Sequence, residues 1–161
     1  AAGLTRQTVY QQFDGKLSLL DACIVSALSD GADQPVRQLD DYRLMGVGSE
    51  TERLIAGARW LRGAHERSAD IQNVLDQAAV TDDAAAQRLR VREEQRHDEV
   101  AFALRLILGR DDLPEPLIDS VWMLASRRAW LMLTGSRGWT PDRWETWFTD
   151  QVSASVATFS G

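Results

Sequence analysis

Two stretches of this chain hold side chains whose types and spacing suit chemistry. The first is TRQTVYQQFDGK at residues 5–16, where Thr5, Arg6, Gln7 and Thr8 follow one another and Tyr10, Gln11 and Lys16 come just after. Arginine matches the edge of a guanine and glutamine that of an adenine, whereas hydroxyls, phenols and ammonium groups suit phosphate oxygens. Lys16 is the only lysine; every other cation among the 18 basic residues is an arginine. The second stretch is Glu93-x-x-Arg96-His97, whose polar groups interrupt an apolar helix face that resumes at Val100 and Leu104. Groups so placed orient a ligand when they border a cavity and are otherwise a solvated face.

Neither stretch suits catalysis or a metal. Only two histidines exist, His65 and His97, with no H-x-x-x-H or H-E-x-x-H pattern, and Glu93 with His97 is too small a set to hold a metal ion. A G-x-S-x-G motif, a phosphate-cradling glycine loop and a nucleophile's setting for cysteine are also missing from the sequence. The expectation is a protein that is not an enzyme and uses no cofactor. The single cysteine, Cys23, leaves no internal disulfide and reads as a small core residue within LLDACIV.

The elements that must position these residues read as helices, for no alternating run bounded by turns predicts a strand. Thr5 is an N-cap for a short helix ending near Gln12, and Asp14-Gly15 breaks it before a longer helix that runs to Gly31. Beyond Pro35 and Gly46-Val47-Gly48, Ser49 and Glu52 form a capping box, opening a helix with Leu54, Ile55, Ala58 and Leu61 on one face. Ser68 is expected to cap a separate, shorter helix carrying Ile71, Val74, Leu75 and Ala78. Thr81, as N-cap before Asp82 and Asp83, opens a long helix that closes at Gly109. Leu113-Pro114-Glu115-Pro116 starts a further one, expected to run to about Thr134 and apolar nearly all round. Thr140-Pro141-Asp142 opens the last.

Eighteen basic against 24 acidic residues give 18 − 24 = −6, which argues against coating nucleic acid by bulk charge. Residues 1–20 carry Arg6, Lys16 and Asp14, or +1, so any DNA contact is expected near the N-terminus. No apolar run approaches the roughly 20 residues of a membrane helix, and no signal peptide is recognisable, so a cytoplasmic setting is expected.

The run Ala2-Gly3-Leu4-Thr5, then Tyr10, Phe13, Lys16, Leu19 and Leu20, resembles the second half of the DNA-binding motif of tetracycline-repressor-type (TetR family) transcription regulators. That pattern reads roughly A-x-x-A-G-V-S-x-x-x-x-Y-x-H-F-x-x-K-x-x-L, and Gln12 stands where the family has histidine. The resemblance implies an all-α chain: a partial helix-turn-helix module with connecting helix over residues 1–31, and a ligand-binding and dimerisation domain over 32–161. Residue 1 then falls inside the helix before the turn, so the chain is expected to be N-terminally incomplete. Thr5, Arg6, Gln7, Thr8, Tyr10, Gln11 and Lys16 take the DNA-contacting positions.

By the same resemblance Trp60 and Trp122 lie on helices that border a small-molecule cavity, with Glu93, Arg96 and His97 as polar options. The last two helices are expected to form a homodimer seam through Leu117, Val121, Leu124, Ala125, Trp144, Trp147, Phe148 and Val152. The implied function is a repressor released from operator DNA by an apolar small molecule. The alternative, consistent with the −6 charge, is a helical dimeric protein-interaction module that has lost DNA binding.

Overall fold

The computed structural model describes residues 15–159, and every regular element among them is helical. Helix α1 spans Lys16–Leu28. A linker follows, in which short helix α2 (Asp40–Arg43) lies between two single 3-10 turns, Val36–Gln38 and Leu44–Gly46. Then come α3 (Glu50–Ala78), α4 (Asp83–Leu108), α5 (Glu115–Leu124), α6 (Arg127–Leu131) and α7 (Pro141–Phe159). Among the described residues no helix is long and apolar enough to cross a membrane.

The long helix α3 is the centre of the packing: α1, α4, α6 and α7 all lie against it, and α5 sits between α4 and α7. Its start is the expected capping box, with Ser49 Oγ accepting from the Glu52 amide at 3.3 Å and Glu52 Oε2 accepting from the Ser49 amide at 2.8 Å. Its course differs from the expectation, because Ser68 caps nothing. That side chain is fully buried in mid-helix, donating to the Ala64 carbonyl at 2.6 Å and accepting from Gln72 Nε2 at 2.9 Å. A serine that bonds the carbonyl one turn back is satisfied inside a helix and leaves it intact. Helix α4 is capped by Asp82 rather than Thr81, its carboxylate accepting from the Ala85 amide at 2.9 Å. It ends at Gly109, whose φ of 66° is the left-handed conformation that favours glycine.

The expected single helix from Pro114 to Thr134 is broken. Helix α5 stops at Leu124, Ser126 takes extended geometry, and its hydroxyl accepts from the Ala129 amide at 3.1 Å to start α6. That amide would otherwise have bonded the Ala125 carbonyl, so the break releases a carbonyl for use elsewhere. After α6 the chain widens into a π-turn over Met132–Ser136 before Thr140 caps α7, its Oγ1 3.2 Å from the Arg143 amide.

The apolar stripes of α5 and α7 are spent inside the chain. Leu117, Val121, Ala125, Trp144, Phe148 and Val152 are each at most 5% exposed, so six of the residues assigned by sequence to a dimer seam are core. Leu124 and Trp147 are half-buried. The α5 stripe is covered by α4 and α7, and that of α7 by α3 and α5. Cys23 is also corrected: it is exposed, while Ile24, one helical step of 100° further round α1, is the residue that points inward.

Candidate ligand cavity

Residues from α1, α3, α4, α5, α6, α7 and the linker line a half-open cavity of about 320 Å³. Most of the wall is apolar, with Met45, Leu61, Leu104, Val121 and Phe148 among its members. Gly57 lets α3 and α4 close over one end: a β-carbon there would sit 2.9 Å from Ile107 Cδ1. A space of this size and lining is large enough to admit a small molecule.

One flank of the cavity is polar and internally neutralised. Arg127, 5% exposed, donates to both oxygens of Asp76 at 2.6 and 2.7 Å and to Glu93 Oε1 at 2.5 Å. The other Glu93 oxygen accepts from Arg96 at 2.7 and 3.0 Å, and Arg96 also donates to the Trp122 carbonyl at 2.7 Å. Burial opposes the charge on Arg127, but the bonds to Asp76 and Glu93 outweigh it and hold its pKa above the ordinary value. Burial would likewise raise the Glu93 carboxyl, yet the bonds from Arg96 and Arg127 hold it below the usual carboxylate range. All these groups are therefore charged and paired.

His65 lies deeper. Its Nε2 is 3.2 Å from the Ala125 carbonyl, the group released by the break after α5, and a carbonyl only accepts, so Nε2 carries the proton. Trp130 stacks on the ring at 5.5 Å and Trp144 meets it edge-on at 5.4 Å. Burial first, then the nearby Arg96 and Arg127 charges, push the imidazole pKa down to about 3 against the bond to Ala125, so the ring is neutral.

On the linker side Glu99 is the anchor. Tyr42 donates to its Oε1 and Arg37 to its Oε2 at 2.7 and 2.9 Å, while the Arg37 guanidinium lies 3.8 Å over the Phe102 ring. Burial and the bond to Glu99 both raise the Tyr42 pKa, so it remains a phenol. A further tie joins the wall to α1: Asp21 accepts from Arg88 and, at 3.2 Å, from Arg92, and Arg92 itself lines the cavity. Arg67 of α3 donates to the Ala27 carbonyl of α1 at 3.0 Å.

Of the residues expected to meet a ligand, Trp60, Glu93 and Arg96 line the cavity, and His97 and Trp122 do not. His97 instead pairs with Asp119 at 2.9 Å and meets Trp122 edge-on at 6.1 Å, while Arg96 covers the Trp122 ring at 4.6 Å. Neighbours on a helix differ by 100°, so Arg96 and His97 face different surroundings. Thr5, Arg6, Gln7, Thr8, Tyr10 and Gln11 lie outside the described residues, and Lys16 opens α1 exposed. The cavity also uses residues that sequence reasoning missed: His65, Arg127, Tyr42, Arg92 and Glu99. For His65 a signal existed, since it continues the register of Leu54, Ala58 and Leu61 and is thus a histidine on an apolar face.

No protein-family model, no curated protein and no solved structure matches the chain. The reading of its function therefore rests on its own residues. Among those described, no group of three or more His, Cys, Asp or Glu is placed to hold a metal ion.

Proposed function

We propose that this chain belongs to a ligand-responsive transcription regulator of the tetracycline-repressor type, acting in the cytoplasm as a homodimer that leaves its operator when a small apolar molecule binds. The observation that carries the reading is the continuity of two features. The motif run from Ala2 to Leu20 extends into α1, and α1 is held by Asp21 to Arg92, a residue of the cavity wall. A ligand that binds two arrangements of that wall unequally shifts the balance between them, and α1 is the element that would carry the difference towards the DNA-contacting residues. In this reading the dimer forms through what α5 to α7 leave uncovered, including Met123 and Met132, which are 56% and 63% exposed.

The test is an anisotropy titration of the protein at its full native length against DNA from upstream of its own gene, with scrambled DNA as control, at several salt concentrations. The reading expects saturable binding that weakens linearly in log salt and exceeds binding to the control. Equal, weak binding to both, repeated on a genomic fragment library, would overturn it. The net charge of −6 favours a second reading in that event, a helical protein-interaction module.

A further inference from the structure

The cavity wall holds five charged side chains, and each is already paired within the chain: Arg92 with Asp21, Arg96 and Arg127 with Glu93, Arg127 also with Asp76, and Glu99 with Arg37. Asp21 and Asp76 are each shared between two arginines, so a charged ligand would have to compete with pairs already made, and it would lose its hydration on entering an apolar space. Besides the exposed Gln95 and the half-buried Gln72, two residues of the wall keep a polar atom without a partner. One is His65: its Nε2–H is committed to the Ala125 carbonyl, so Nδ1 holds a lone pair, and no other hydrogen bond to this ring exists among the described residues. The other is the Trp60 indole, whose buried N–H has no acceptor.

The aromatic surroundings narrow the shape. Tyr42 and Trp60, edge-on to each other at 5.0 Å, line the space together with Phe148, which stacks on Trp144. Aromatic side chains on a wall offer a planar ring system edge-to-face and offset contacts. We infer that the cavity takes a neutral aromatic molecule bearing one hydroxyl or other hydrogen-bond donor, whose proton is accepted by Nδ1 of His65. This rests on reading the cavity as the effector site, and it makes the fixed tautomer of His65 the determinant of specificity. The helix break supplies that tautomer, because only the carbonyl freed at Ala125 obliges Nε2 to keep the proton.

A calorimetric titration of the unmodified protein with four naphthalene derivatives tests it: a naphthol, its methyl ether, naphthoate and naphthylmethylammonium, with naphthalene itself as reference. The naphthol is expected to bind roughly tenfold more tightly than naphthalene or the ether, the usual worth of one buried hydrogen bond, and the two charged compounds more weakly than naphthalene. An ether as tight as the naphthol overturns the role of His65, and a charged compound tighter than the naphthol overturns the neutral class. No saturable heat with the naphthol overturns both. The variant His65→Phe keeps a ring against Trp130, and within it the naphthol is expected to bind no more tightly than naphthalene; should it fail to fold, the ligand series alone decides. The titration contains no DNA, so it can fail while the regulator reading stands, and it can succeed with a protein that never binds an operator.

Discussion

His65 and Ala125 are 60 residues apart in sequence, yet the imidazole Nε2 lies 3.2 Å from the Ala125 carbonyl, where the chain leaves helical geometry after α5. The bond joins the middle of α3 to a backbone group that a continuous helix would have kept for itself. It also fixes the protonation of a side chain on the wall of the cavity.

The first prediction is a pH dependence of folding. The folded His65 pKa of about 3 lies below the ordinary value of 6.5, so the unfolded chain takes up a proton that the folded chain refuses. The resulting stability is fully present above pH 6.5 and is lost progressively as pH falls from there towards 3. Asp76 and Glu93, whose pKa values are lowered by their arginine partners against the effect of burial, add a loss in the same direction only below the ordinary carboxylate range. Denaturant midpoints at pH 7 and pH 5 should therefore differ in the native protein, and the difference should shrink in His65→Gln.

Arg127 supports a second prediction. It bonds both oxygens of Asp76 and one of Glu93, which without it keep only Arg128 at 3.2 Å and Arg96, so Arg127→Ala leaves two half-buried carboxylates short of donors and should cost about 1.5–3 kcal/mol. Arg127→Lys should recover little, because one ammonium does not reproduce the planar fork that reaches both acids. Equilibrium urea unfolding measures both, and a loss under about 1 kcal/mol in the alanine variant would refute the assignment.

The break after α5 is testable through its cap. Ser126→Ala removes the acceptor of the Ala129 amide and is expected to cost about 1 kcal/mol. Since that amide can then return to the Ala125 carbonyl, the same variant should also weaken the bond to His65. In an NMR titration its imidazole nitrogens should shift from the single-tautomer pattern towards a mixture.

Asp21 is the fourth case. Arg88 and Arg92 hold it from α4, and all three side chains are partly exposed, so Asp21→Asn should change global stability by less than about 1 kcal/mol. Its local effect should be larger. Hydrogen exchange of the α1 amides is expected to quicken in the variant while that of α3 and α4 stays unchanged.

Much of the helical plan was legible because helix ends are written in short-range chemistry. Ser49 with Glu52, Gly109, and Thr140 with Pro141 mark their ends as local motifs should. What misled were side chains with more than one use. Ser68 resembles a cap but satisfies itself on the carbonyl of Ala64, and Ser126, inside an apolar run, is a cap that the surrounding hydrophobicity conceals. The apolar faces of α5 and α7 were recognisable, but a sequence does not say whether the partner of such a face is another helix of the same chain or of a second copy. The cavity was half legible. Trp60, Glu93 and Arg96 stand out by type, whereas Arg127 and Glu99 acquire their places only through contacts with residues 34 to 62 positions away.

Four of the six tryptophans form an optical relay. Trp139 lies 5.9 Å from Trp147, Trp147 is 6.4 Å from Trp144, Trp144 is 5.0 Å from Trp130, and Trp130 stacks on His65 at the cavity wall. Indoles this near and this steeply inclined couple their transitions, so the near-ultraviolet circular dichroism of the protein should carry an exciton signature of the whole row. Anything that turns the His65 ring disturbs the first member of that row. The fold thus carries its own label-free reporter of events in the cavity.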